Sequence, residues 1–166
     1  MHPRKLQTAN YLCQMRILMV CLGNICRSPL AEGVLQQKVA LAQLNWLVES
    51  AGTNSYHTHE PPHHFSQKVA LKNGIDISKQ KARTFVKEDF EKYDKIYAMA
   101  KDVLEDIKSI GKEKYEPKKV SLLLNEIYPA NNADVPDPWY SNNEDEYEKV
   151  YALIEKASDC IIKKYK

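Results

Sequence analysis

From Arg16 onward the chain alternates between short, continuous apolar runs and longer stretches in which apolar residues return every three or four positions. The first run, ILMVCL (residues 17–22), is uninterrupted, as in a strand buried on both faces. WLVESAG (46–52), KIYAMA (95–100) and KVSLLL (119–124) are the other strand candidates. After the first run, Ala31, Leu35, Val39 and Ala42 share one helical face; Ser28 suits an N-cap and Pro29 the first helical position. Phe65, Val69 and Lys72 mark a short helix closed by Asn73-Gly74, and Val103, Leu104, Ile107 and Ile110 mark another. A last helix opens on Glu144-Asp145-Glu146, which suits the positive end of its dipole, and buries Tyr147, Val150, Tyr151, Ile154, Ala157 and Ile161. This alternation predicts an α/β fold in three layers, a four-stranded parallel sheet with helices on both faces. Ligands of such sheets sit beyond the carboxyl ends of the strands. Residues 1–14 show no period; they are expected to be a disordered extension, or to precede a true start at Met15, leaving one domain over 15–166.

Composition narrows the picture. A formal net charge of +2, with no Lys/Arg block flanked by aromatics, argues against nucleic acid as a partner. The six-residue run ILMVCL is too short for a signal-peptide core or a membrane span. Four cysteines (Cys13, Cys21, Cys26, Cys160) without an export signal do not read as a disulfide framework. No matching Cys or His pair follows Cys21 and Cys26 at zinc-site spacing, and HTHEPPHH (57–64) carries two prolines, as an exposed loop would. The expectation is a reduced, cytoplasmic, monomeric domain with no metal, no cofactor and no membrane contact.

The loop after the first strand carries the chemistry. Cys21 and Arg27 are separated by five residues, Leu22, Gly23, Asn24, Ile25 and Cys26, and followed by Ser28-Pro29. A loop entering a helix N-terminus turns its N–H groups inward, and the helix dipole adds positive charge. Gly23 allows a close or left-handed turn and Asn24 tolerates one; Arg27 adds a planar fork for two phosphate oxygens. The site is an anion cradle with a thiol at its base. Surrounded by such donors, the Cys21 thiol is expected to ionise readily and to attack the phosphorus of a bound ester. Ser28 is placed to donate to the sulfur and ease its departure. A nucleotide-binding loop of the G-x-x-x-x-G-K-[ST] type is excluded because the lysine is absent. Cys26 either packs inside the loop or serves as a redox partner of Cys21.

VCLGNICRSPLAE (20–32) resembles the active-site loop of the low-molecular-weight protein tyrosine phosphatases, and the resemblance runs from Arg16 to about Lys164. It implies metal-free hydrolysis of phosphotyrosine in a protein substrate, with Cys21 as nucleophile and Arg27 as clamp. It also implies that Asn24 and Ser28 stabilise the loop and that Ser50 hydrogen-bonds Asn24.

Ester cleavage needs an acid for the leaving oxygen. ADVPDPWY (133–140) offers Asp134 and Asp137; the second lies between prolines that restrict its backbone. The resemblance selects Asp137, the aspartate of a D-P-aromatic-aromatic motif. Trp139 and Tyr140 beside it suit one wall of a slot for a flat ring, and the resemblance sets Tyr56 on the other. Family members often carry aspartate where this chain has Ala100, so Arg27 is expected to be less firmly oriented and the enzyme slower. Three rivals stand beside this reading. Arsenate reductases of the same fold need mid-chain cysteines, but none occurs between Cys26 and Cys160. Protein-arginine phosphatases usually carry Thr at the position of Ile25. A non-catalytic phosphate-binding module would not need nucleophile, clamp and acid together.

Overall fold

The computed structural model describes residues 14–166; Cys13 and almost all of the expected N-terminal extension lie outside the described residues. In chain order the elements are β1 (Met15–Cys21), α1 (Arg27–Leu41), β2 (Trp46–Gly52), α2 (His64–Lys72), α3 (Asp89–Lys92), β3 (Lys95–Ala98), α4 (Lys101–Gly111), β4 (Val120–Leu122) and α5 (Glu144–Tyr165). The strands form one parallel sheet in the order β2-β1-β3-β4.

Alternate residues of β1 show why its run is continuous. Ile17, Met19 and Cys21 face a core shared with Leu30, Val34, Tyr147 and Ile154 from α1 and α5. Leu18 and Val20 face a second core with Phe90, Val103 and Ile107 from α3 and α4. Helices therefore cover both faces, and burial of these side chains drives the three-layer arrangement. β1 pairs β2 on one edge and β3 on the other, so the connections leave it in opposite directions. That makes the carboxyl end of β1 a topological switch point, where open α/β sheets form their crevice. Cys21 is the last residue of β1.

Several boundaries differ from the sequence pattern. β3 stops at Ala98; the Met99 N–H still donates to Val20 O of β1 at 2.9 Å, but the chain bends there and its carbonyl accepts from Val135 N, outside the sheet, at 2.8 Å. β4 stops at Leu122; Leu123 and Leu124 are buried from a 3₁₀ turn, so their apolar run mimics a longer strand. α1 begins at Arg27, one residue ahead of the expected Ser28 cap, and Pro29 is the third helical residue rather than the first. Ala42 ends α1 as its C-cap, half-buried, outside the helical face assigned to it. α5 matches its acidic start, with Asn143 accepting from Asp145 N at 2.9 Å.

Candidate active site

The loop from residue 22 to 26 joins β1 to α1, and a single asparagine organises it. Asn24 takes the left-handed conformation at φ 58°, whereas Gly23, to which the same freedom was assigned, does not. The side-chain oxygen of Asn24 accepts from Arg83 N at 3.0 Å, which fixes which way its amide faces. Its nitrogen then donates to Ser28 Oγ at 2.8 Å and to Ser50 Oγ at 2.9 Å. An amide nitrogen only donates, so both hydroxyls accept there and turn their own protons elsewhere. Ser50 donates to the carboxyl of Glu32. Ser28 has the Cys21 sulfur at 2.9 Å and the Ala51 carbonyl at 3.4 Å, so its shorter bond is to sulfur. Asn24 N–H also donates to Cys21 Sγ at 3.3 Å. Ser28 is the second residue of α1, with Cys26 at the N-cap position, and its hydroxyl lies against the thiol. Burial pushes the Glu32 carboxyl up, opposed by the bond from Ser50.

The loop is tied on every side. Thr53 N donates to Cys21 O at 3.0 Å, Asn54 N to Leu22 O at 3.0 Å, His63 N to Ile25 O at 2.8 Å and Ser66 Oγ to Cys26 O at 3.0 Å. Sheet register sets Gly52 opposite Cys21. A Cβ on Gly52 would stand 2.8 Å from Leu22 O and 2.9 Å from Asn24 N, both backbone atoms that cannot rotate aside. Gly52→Ala is therefore expected to push the loop outward. A displacement of about 1 Å lowers kcat by roughly 10²-fold, against an overpacking cost of about 1–3 kcal/mol. Aryl phosphate turnover measured beside thermal unfolding checks that activity falls further than stability.

Arg27 is 3% exposed. Its Nη1 donates to Val135 O at 3.1 Å and its Nη2 pairs with Asp137 Oδ2 at 3.4 Å. Ala100, the extended N-cap position of α4, supplies no side-chain acceptor to it, and the partners of the guanidinium are the Val135 carbonyl and the Asp137 carboxylate. Asp137 opens a 3₁₀ turn over Pro138–Tyr140 and accepts from Trp139 N at 3.1 Å through its other oxygen. A cleft of about 410 Å³ has Cys21 and Arg27 among its lining residues. Leu22, Gly23, Ile25 and Cys26 line it from the loop, Tyr56 and His57 from the segment after β2, and Asp137, Trp139 and Tyr140 from the segment before α5. Tyr56 and Tyr140 are 85% and 83% exposed, so their rings stand at the rim, while Cys21 is 2% exposed.

Two histidines of the run read as an exposed loop reach this site. His57 lies against Trp139 with ring centroids 5.4 Å apart, and its Nδ1 is 2.8 Å from Glu60. His63 stacks on Tyr147 at 5.0 Å, meets Trp139 edge-on at 5.6 Å and accepts from Phe65 N. Burial lowers the His63 pKa, with His64 adding to the effect. Nothing in their spacing announced these contacts, which depend on Trp139 some eighty residues away. Among the described residues no three His, Cys, Asp or Glu side chains converge as metal ligands, and no helix is long and apolar enough to cross a membrane.

Residues 16–166 match the family model for low molecular weight phosphotyrosine protein phosphatases. The chain belongs to that family. A low molecular weight protein-tyrosine-phosphatase of Bacillus subtilis is 32% identical over 148 residues, 88% of this chain and 92% of its own. Its crystal structure superposes with a TM-score of 0.82 over 90% of this chain and 93% of the other. The human low molecular weight phosphotyrosine protein phosphatase is 36% identical over 85% of this chain and 94% of its own. An arginine phosphatase of Drosophila shares the fold at 27% identity, with a TM-score of 0.83 over 92% of this chain and 98% of the other.

Within this phosphatase the two loop cysteines have different surroundings. Cys21 Sγ accepts from Asn24 N–H and lies 2.9 Å from the Ser28 hydroxyl, whereas Cys26 Sγ is buried 3.4 Å from the Tyr147 hydroxyl. Burial pushes the Cys26 thiol up to about 12, only partly opposed by Tyr147. At neutral pH it is a thiol and a poor nucleophile. Iodoacetamide is accordingly expected to modify Cys21 and to leave Cys26 untouched until the chain unfolds, with inorganic phosphate protecting Cys21. Peptide mass mapping before and after denaturation checks this.

Proposed function

We propose that this phosphatase hydrolyses phosphotyrosine in proteins, and small aryl phosphates, through a phosphocysteine at Cys21. The phosphate dianion sits in the loop, held by inward N–H groups and the Arg27 fork. The Cys21 thiolate attacks phosphorus in line with the leaving oxygen; the S–P bond forms as the O–P bond breaks. Asp137 gives its proton to the departing phenolic oxygen. In the second step the Asp137 carboxylate takes a proton from water as that water attacks phosphorus. The S–P bond breaks, and the sulfur leaves with its charge met by the Ser28 hydroxyl and Asn24 N–H.

The observation that carries this reading is the Arg27 guanidinium, buried beside the loop and 3.4 Å from the Asp137 carboxylate. Clamp and acid stand together over the nucleophile's cleft, and a bound phosphate competes for the guanidinium and frees Asp137 for the leaving group. Depth supports tyrosine as the substrate: a thiol this buried is reached by a long aryl side chain and not by phosphoserine. The aromatic rim of Tyr56, Trp139 and Tyr140 suits a flat ring, and Ile25, where arginine phosphatases usually carry threonine, favours tyrosine over arginine. The reading includes a monomer in a reducing cytoplasm, where Cys21, Cys26 and Cys160 remain free thiols.

Hydrolysis of matched phosphotyrosine, phosphoserine and phosphoarginine peptides in the presence of a chelator tests it. Selective, chelator-insensitive turnover of the phosphotyrosine peptide is expected. Preference for phosphoarginine would move the protein to the other branch of its fold, and silence on all three would leave a phosphate-binding module.

A further inference from the structure

The first N–H groups of a helix have no partner within it and need one from a cap. At the start of α4 the capping position is Ala100, extended at φ −152° and ψ 167°, with no side-chain acceptor. The N–H of Lys101 is taken instead by Asp134 Oδ1 at 2.9 Å, from the segment that carries the acid. The same carboxylate pairs with Lys101 Nζ at 3.4 Å, and that ammonium donates to Asn132 O at 3.1 Å. Asp134 also places negative charge at the positive end of the helix dipole.

The next residues continue the attachment. Val135 N–H donates to Met99 O at 2.8 Å, and the Val135 carbonyl accepts from Arg27. Pro136 and Pro138 then restrict the backbone on either side of Asp137. The stretch from 134 to 137 thus starts on the α4 N-terminus and ends on the carboxylate beside Arg27, with little freedom between.

We propose that Asp134 is the positioning residue for the general acid: it caps α4 from outside the helix, and this attachment sets where the Asp137 carboxylate stands. The proposal rests on the reading of Asp137 as the acid. Asp134 is not among the residues lining the cleft, so it acts through the backbone rather than on substrate.

A misplaced acid slows ester cleavage where the leaving oxygen needs a proton and spares it where the oxygen does not; breakdown of the phosphocysteine is common to all the esters, so kcat/KM, which reports the first step, is the quantity compared. The test is steady-state hydrolysis of aryl phosphates from phenyl to dinitrophenyl by wild type, Asp134→Ala, Asp134→Asn, Lys101→Pro and Asp137→Ala, with thermal unfolding of each. Asp134→Ala is expected to lose roughly tenfold in kcat/KM on phenyl phosphate and almost nothing in kcat/KM on dinitrophenyl phosphate. Asparagine keeps a capping acceptor and should recover most of the loss. Proline is well tolerated at the first helical position and its extended predecessor suits it. Lys101→Pro removes both the N–H and the ammonium that hold Asp134 while leaving the Asp134 carboxylate itself in place, so it should reproduce the phenyl phosphate defect in a stable protein. Equal losses across all leaving groups, or a Lys101→Pro enzyme with the wild-type profile, would overturn the proposal alone. An Asp137→Ala enzyme with no leaving-group dependence would overturn it together with the acid assignment.

Discussion

Cys21→Ser is expected to leave a folded, phosphate-binding protein with no turnover above background. The cradle does not depend on the sulfur: Asn24 remains held by Arg83, Ser28 and Ser50, and Arg27 by Val135. What is lost is the nucleophile. A thiol ionises within reach of neutral pH, while a serine hydroxyl needs an adjacent base to attack. The nearest side-chain partner of residue 21 is the Ser28 hydroxyl, which is not a base. Calorimetric binding of inorganic phosphate alongside aryl phosphate kinetics checks the outcome. Affinity near that of wild type with abolished turnover is expected, and substantial residual turnover would assign the attack to another group.

Asp137→Ala is expected to lower kcat/KM, which reports formation of the phosphocysteine, by about 10²–10⁴-fold on esters with poor leaving groups, the usual contribution of a positioned acid. The loss should shrink as the leaving phenol becomes more acidic, because the proton then matters less. Stability should change little. The ion pair with Arg27 is 3.4 Å long and the Asp137 side chain is 28% exposed, a long contact already screened by solvent on the carboxylate side. Arg27 keeps its bond to Val135 O, so the clamp survives. A uniform loss across leaving groups would point instead to damage at the phosphate cradle.

Fold class was legible because its signals are local. A continuous apolar run followed by a 3.6-residue period is written into β1 and α1 whatever the rest of the chain does. Strand ends were harder: Met99-Ala100 and Leu123-Leu124 are buried from turns, and burial alone cannot distinguish a turn from a strand. The four-residue α3 is too short to show a period. At the site, Cys21, Arg27 and Ser28 sit within eight residues of one another, and their spacing carried the chemistry. Ser28 reads as a helix cap in sequence, but the helix starts one residue before it, and only the fold sets its hydroxyl against the thiol. Arg83 and Glu32, which complete the hydrogen-bond chain through Asn24 and Ser50, were missed. Arg83 acts through a backbone N–H that its side chain does not reveal, and Glu32 reads as a helix surface residue until Ser50 is brought against it. His57 and His63 carried a loop signature in sequence and an aromatic bracing role in space.

The central claim is a covalent phosphocysteine at Cys21. Rapid acid quench of the Asp137→Ala enzyme with dinitrophenyl phosphate, followed by peptide mass analysis, tests it most directly. That ester needs no acid to form the intermediate, while the missing carboxylate slows its breakdown, so the adduct should accumulate. One phosphoryl group on the peptide carrying Cys21, absent from Cys21→Ser and lost again as inorganic phosphate is released, is the result this account predicts. A turning-over enzyme with no adduct, or an adduct elsewhere on the chain, would contradict it.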